Sequence, residues 1–339
     1  PTASAEESPS AYRIGVIELP SFYVDFNDRR QNPNNYKSSS RDVRAHLEQF
    51  KRDGVDGVIL DLRNNGGGGL DEAITMAGLF VGRKPIVIVR QASGARITVH
   101  RSREEAIYEG PLLVMLNRFS ASASEILAGA MHDYQRAILV GDRTTFGKGT
   151  VQNIVQLPEG YGALKVTIAQ FYRVSGWSTQ NRGVETDMIL PSINNARDLG
   201  ESTLENALPW KAISPISYTP VGNIRRYINE LQQYSHDRLS KDTDFKEIEE
   251  NVQEFLTNVK PLEYTSILKM QEDAAKRKEE RDEEMASARK TMENTTQEES
   301  EEETASNEEA TIRSDAYLLE SMAILEDYIR LQQRVEVKN

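Results

Sequence analysis

The chain has 339 residues, a formal net charge of −12 and no cysteine. That acidic balance argues against nucleic acid as the main partner, and the missing thiols exclude disulfides and thiolate metal sites. The length accommodates one large domain with an appendage, or two domains; no run approaches the roughly eighteen consecutive apolar residues that cross a bilayer.

Residues 1–11 are small and polar and read as a flexible lead-in. They carry no initiator methionine and no signal-peptide pattern, so the expectation is a fragment or a processed form. Tyr12 to Leu19 (YRIGVIEL) reads as a strand. The Asn-, Arg- and Ser-rich segment 27–40 reads as a surface loop. Arg41 to Asp53 has helical periodicity through Val43, Leu47 and Phe50, and Gly54 ends it. Val55 to Leu62 (VDGVILDL) is a buried-strand candidate that runs into the glycines 66–69, and Leu70 to Phe80 is a helix. Ile86 to Arg90 and Pro111 to Leu116 are strands, Ser124 to Tyr134 a helix, and Ala137 to Gly141 and Leu164 to Val174 further strands. This alternation predicts an α/β core. Composition shifts after Pro209, and from Ile224 onward the chain is charged and helical. Residues 291–310 hold eight glutamates and no lysine or arginine, a pattern of disorder. Tyr317 to Gln333 regains helical spacing through Leu318, Met322, Leu325, Tyr328 and Ile329, as a terminal helix able to dock back on the body.

Two stretches carry chemistry. In Asn117-Arg118-Phe119-Ser120-Ala121-Ser122-Ala123-Ser124-Glu125, small residues surround serines at a strand-to-helix junction. In Thr145-Phe146-Gly147-Lys148-Gly149-Thr150-Val151-Gln152, one lysine sits between glycines. A serine hydroxyl needs a neighbouring base, and lysine serves as one when burial or nearby charge lowers its pKa. Ser122 also fits a capping box with Glu125, and spacing alone does not choose among Ser120, Ser122 and Ser124. On an extended strand Lys148, Thr150 and Gln152 share a face, which lets Gln152 hold the amine. The glycine run 66–69 fits neither phosphate-binding spacing; its bare N–H groups suit a developing negative charge, with Asp61 and Arg63 bracing the loop. His46, His100, His132 and His236 have no metal-ligand spacing and offer no triad base, which favours lysine.

Together these residues resemble the carboxyl-terminal processing, or tail-specific, proteases of S41. The matching stretches are VILDLRNNGGG (58–68), NRFSASASEILAGAM (117–131), TFGKGTVQ (145–152), FYRVSGWSTQNRGVETD (171–187) and LENALPW (204–210); the last two and the charged helical tail resemble the periplasmic subgroup. The resemblance implies a crotonase-like α/β core of helices on a curved sheet, residues 12–210, then a helical domain 211–290, an acidic disordered linker 291–312 and a terminal helix 313–339. It implies Ser122 as nucleophile, Lys148 as base, Gln152 as its orienting partner, and an oxyanion hole from the N–H groups of Gly68 and Ala123, with Gly67 as the alternative glycine. No metal or organic cofactor is implied. The implied substrates are proteins with exposed carboxyl termini, the location is periplasmic, and an adaptor lipoprotein is a candidate partner. Three departures stand out. The turn Gly141 to Phe146 is one residue longer than the family's, Thr186 replaces a frequent proline in a stretch remote from the dyad, and the family's PDZ domain does not precede the first strand. The last implies impaired tail recognition and gating, and motivates a rival reading of the chain as a latent or non-catalytic binding module.

Overall fold

The computed structural model describes residues 12–33, 35–94, 96–158, 160–257 and 315–336. The lead-in 1–11, residues 258–290 of the helical region and the acidic linker 291–312 lie outside the described residues.

Five strands form a parallel sheet: β1 (Ile14–Glu18), β2 (Gly57–Asp61), β5 (Leu112–Leu116), β6 (Ile138–Gly141) and β9 (Met188–Ile189), in the spatial order β1-β2-β5-β6-β9. β2 (GVILD) and β5 (LLVML) are buried along their whole length. Unbroken apolar runs of this kind belong to strands covered on both faces, and alternate residues point to opposite sides. Val58, Leu60, Leu112 and Val114 pack with α2 (Ser39–Asp53), α3 (Leu70–Val81) and α4 (Ala123–Asp133). Ile59, Leu113 and Met115 pack on the other side with α5 (Ile228–Leu239), with Phe245 of α6 (Thr243–Thr257), and with Leu318, Leu325 and Ile329 of α7 (Ala316–Glu336). The stripe spaced at helical period near the end of the chain is therefore part of a core that also holds the middle of β2.

The remaining long strands form an antiparallel sheet in the order β4-β3-β8-β7: β3 (Pro85–Gln91), β4 (Ile97–Arg101), β7 (Thr150–Gln156) and β8 (Ala163–Tyr172). Phe171 enters the main core from β8, whereas Val155, Leu164, Val166 and Ile168 are exposed. The α/β reading holds, with the strands divided between two sheets. The β7–β8 hairpin pairs with β3 and carries Lys148 at its entrance.

Local differences from the sequence expectations have simple causes. The loop expected over 27–40 contains α1 (Phe26–Gln31), because Asp25 Oδ1 accepts the N–H groups of Asn27 and Asp28, both at 2.9 Å, an N-cap hidden in a polar stretch. α2 starts at Ser39, two residues early, capped by Ser38. It ends as expected at Gly54, in the left-handed conformation with φ 63°. β4 has no counterpart among the expected strands; its alternating exposed residues gain order only by pairing with β3.

Candidate active site

The serine cluster leaves β5 and enters α4 through a tight turn. Ser120 and Ser124 are fully buried, and their hydroxyls donate to the backbone carbonyls of Leu62 and Asn65, each at 2.8 Å. Ser122 is partly exposed and lines a pocket of ≈ 240 Å³. Its backbone has φ 57°, a conformation uncommon for residues other than glycine. Ser122 N–H donates to Glu125 Oε2 at 2.7 Å, which realises that half of the capping box. As first residue of α4, Ala123 has an N–H with no intrahelical acceptor.

The glycine loop lies against this turn. Asn65 holds the two together: its carbonyl accepts from Ala121 N–H at 3.0 Å and from the Ser124 hydroxyl, and its Nδ2 donates to Leu19 O at 2.7 Å. Gly67 has φ 105°, and a Cβ there would lie 2.8 Å from both Ala121 O and Ser122 Cβ. Gly68 has φ 146°, and its Cβ would overlap the Phe22 carbonyl oxygen. Only glycine satisfies both the backbone angle and the close approach. Gly67 N–H is committed to Asn65 Oδ1 at 2.9 Å, whereas Gly68 N–H has no acceptor among the described residues. Of the two glycines, Gly68 therefore has the open donor, beside the N–H of Ala123, which likewise has no acceptor among the described residues.

Lys148 approaches from the entrance of the hairpin. Its backbone N–H and that of Gly147 donate to Glu125, at 2.9 and 2.7 Å, and Thr179 Oγ1 donates to its carbonyl at 3.0 Å. The two flanking glycines leave room for the chain at 178–182: a Cβ on Gly149 would lie 2.7 Å from Gln180 N, and one on Gly147 3.1 Å from Asn181 C. The amine Nζ donates to Gln152 Oε1 at 2.9 Å. β7 begins only at Thr150, and its register with β8 shifts between Val151 and Gln152. The residue passed over at that shift is Ile168, so the extra residue lies on β8, and Lys148, Thr150 and Gln152 all line one pocket.

Ser122, Ala123, Gly68, Lys148 and Gln152 line one pocket, with Leu70, Ile126, Val151 and Phe171 as apolar wall. Gly67 is not on that lining, although it abuts the Ser122 turn. Burial lowers the pKa of Lys148, and the charge of Lys165 on β8 lowers it further, against Glu201 and Glu125. Both effects disfavour the ammonium. The amine's hydrogen bond goes to Gln152 and not to the Ser122 hydroxyl.

Glu125 links the two halves and is the residue whose importance sequence reasoning underrates. Fully buried, it accepts from Ser122 N, Thr145 Oγ1, Gly147 N and Lys148 N at 2.6–2.9 Å. Burial raises its pKa to about 7, with those hydrogen bonds opposing the rise. The capping-box spacing is its only signal. Arg118 is a second such link: its backbone N–H donates to Asp142 Oδ2 at 2.8 Å and its guanidinium to Thr145 O at 2.7 Å. Thr186 lies against the turn Gly141 to Phe146: its hydroxyl donates to Asp142 O at 2.9 Å, which a proline could not do. Asp61 and Arg63 form an ion pair at 2.6 Å beside the glycine loop. His132 lies outside the pocket, hydrogen-bonded with Arg173 at 2.6 Å.

Comparison with known proteins matches residues 13–190 to peptidase family S41 and residues 194–330 to the C-terminal domain of tail specific protease. A tail-specific protease of Haemophilus influenzae is 41% identical over 257 residues, 73% of this chain and 35% of that protein. A carboxyl-terminal-processing protease of Synechocystis is 36% identical over 188 residues, 56% of this chain and 40% of that protein. The chain thus spans little more than a third of the length of these relatives. Among solved structures, a photosystem II D1 C-terminal processing protease matches at 31% identity with a TM-score of 0.44, covering 52% of this chain and 42% of that one. The match over 13–190 takes in the serine turn, the glycine loop and Lys148, and on it the chain belongs to peptidase family S41.

Proposed function

We propose that the protein is a serine endopeptidase with a Ser122–Lys148 dyad, acting on proteins selected by their carboxyl termini. The observation that supports this most is the convergence, on one pocket, of the Ser122 side chain, a half-buried lysine of lowered pKa and the two open N–H groups of Gly68 and Ala123. Ser122 Oγ attacks the scissile carbonyl carbon while neutral Lys148 Nζ takes the hydroxyl proton. The carbonyl oxygen becomes an oxyanion facing the N–H groups of Gly68 and Ala123, at the positive end of α4. Collapse of the tetrahedral intermediate breaks the C–N bond, and the leaving amine takes the proton back from Lys148. A water then gives its proton to Lys148 as it attacks the acyl-enzyme, and the second collapse releases the acid and restores Ser122. Gln152 orients the amine throughout.

Selection by carboxyl termini goes with this reading through the relatives' names, and a periplasmic setting and an adaptor lipoprotein through the family resemblance alone. The second reading, a latent binding module, has one observation in its favour: Lys148 bonds Gln152 rather than Ser122. Turnover of a peptide substrate by this chain and by a longer polypeptide that includes it separates the two. Turnover that vanishes in Ser122→Ala supports the peptidase, and binding without turnover in both supports the module.

A further inference from the structure

The glycine loop has a brace that comes from the far end of the chain. Arg63 lies two residues past Asp61, the last residue of β2. Its backbone N–H donates to Asp61 Oδ1 at 2.9 Å, and its Nε and Nη2 donate to Asp61 Oδ2 at 2.9 and 2.6 Å. The other side of the same guanidinium donates to Asp315: Nη1 to Oδ1 at 3.1 Å and Nη2 to Oδ2 at 2.6 Å. Asp315 immediately precedes α7, and its Oδ1 also accepts Leu318 N–H at 3.0 Å, as an N-cap. The arginine is thus a fork held from two sides, a geometry that fixes direction as well as charge.

α7 is placed to make this contact. Leu325 and Ile329 lie directly over Gly57 at the start of β2, while Asp315 meets Arg63 just past its end. The helix therefore runs back along β2, with its first residues at the strand end from which the glycine loop departs. Residues 64–67 are tied to the serine turn and to one another. Asn64 N–H donates to Asn117 Oδ1 at 2.9 Å, Asn65 O accepts Ala121 N–H, and Gly67 N–H returns to Asn65 Oδ1. A shift of Arg63 moves the segment from which Gly68 hangs.

We propose that α7 acts as a positioning element of the active site: Asp315 holds Arg63 against Asp61 and thereby sets the place of the Gly68 N–H relative to Ser122. The role of that N–H rests on the peptidase reading; the mechanical coupling does not. Burial pushes the Asp315 carboxyl up, but the hydrogen bonds and charge of Arg63 outweigh it and hold the group below its ordinary value, so the pair is ionised at neutral pH.

Asp315→Asn separates the ion pair from the helix cap. Asparagine keeps the shape and an Oδ1 for Leu318 N–H, and caps as well as aspartate, but it drops the charge that binds Arg63. Asp315→Glu does the reverse, keeping the charge and weakening the cap. Hydrogen exchange of the Gly66–Gly69 amides and of α7 is measured in the full chain of each variant, together with kcat and KM on a peptide substrate. The expected result for Asp315→Asn is loop exchange about tenfold faster with α7 exchange unchanged, and kcat about tenfold lower with KM within about twofold. Asp315→Glu retains loop protection. Unchanged loop exchange in Asp315→Asn overturns the proposal, and so does faster exchange along α7 itself, which would make Asp315 a cap and nothing more. Absence of Ser122-dependent turnover in the wild-type chain counts against the peptidase reading alone, and the exchange arm then decides this one.

Discussion

The nucleophile and the base of the proposed dyad are held by different kinds of structure. Ser122 sits at the start of a buried helix, with its neighbouring serines bonded to the carbonyls of Leu62 and Asn65 ahead of the glycine loop and its own N–H bonded to a buried carboxylate. Around it, packing and hydrogen bonds leave little freedom. Lys148 has a backbone fixed just as firmly, by Glu125, Thr179 and the chain at 180, but its amine is half-buried and bonded to the exposed Gln152. That amine also faces Lys165, on a hairpin whose outer face is open to solvent. On the proposed mechanism the core fixes where attack occurs, and the hairpin sets when the base is ready. Chemistry that needs a rigid oxyanion site can tolerate an adjustable base, because a proton transfer needs only a short side-chain movement whereas an oxyanion hole depends on preorganised dipoles.

The largest expected effect falls on both sides equally. Ser122→Ala and Lys148→Ala each lower kcat/KM by about 10⁴-fold or more, and the double variant loses no more than either alone, because the two act as one unit. Steady-state assays of the three variants measure this; additive losses would break the pairing.

Next comes the rigid side by itself. Gly68→Ala places a Cβ against the Phe22 carbonyl at a φ of 146°, and kcat falls by about 10²–10³-fold, the usual loss for one oxyanion donor. A melting curve shows whether the variant is folded. Wild-type kcat in a folded variant would mean that Gly68 contributes no donor.

Glu125 joins the two sides and yields a stability prediction. Its folded-state pKa is about 7 against an ordinary 4.5, so between those values the folded chain binds more protons than the unfolded one. Stability therefore falls as pH rises from about 4.5 to about 7. In Glu125→Gln that fall disappears. Denaturant titrations at several pH values check the sign, and a variant that keeps the wild-type slope over that window would remove Glu125 from the account.

The smallest effect concerns the adjustable side. kcat/KM rises with pH as Lys148 loses its proton, with the limb below the ordinary lysine value because burial and Lys165 lower it. Lys165→Gln removes one like charge, so the limb moves to higher pH while the plateau stays near wild type. A limb that stays in place would show that burial alone tunes the amine.

How much of the molecule is legible in the sequence depends on how local each cause is. β2 and β5 are apolar on both faces, so their burial is written in consecutive residues, and Gly54 marks the end of α2 by its own backbone needs. Ser122, Gly68 and Lys148 are visible as residue types fit for a task, in short contiguous stretches. The choice of Ser122 over Ser120 and Ser124 is not local: it depends on Leu62 and Asn65 accepting the other two hydroxyls, contacts spanning 58 and 59 residues. The same holds for Gly68 over Gly67, which turns on where Asn65 aims its side chain, and for Glu125, whose four donors come from two separate loops. Capping spacing announces Glu125 as a helix residue and hides its place between Ser122 and Lys148. β4 escapes a sequence reading because its alternation is half polar and its order comes from β3.

The most direct test of the dyad is covalent labelling with a fluorophosphonate, followed by mass mapping of the adduct on the 117–131 stretch. The account predicts one adduct, on Ser122, whose rate of formation collapses in Lys148→Ala. An adduct on Ser120 or Ser124, or labelling of Ser122 at an undiminished rate in Lys148→Ala, would contradict it.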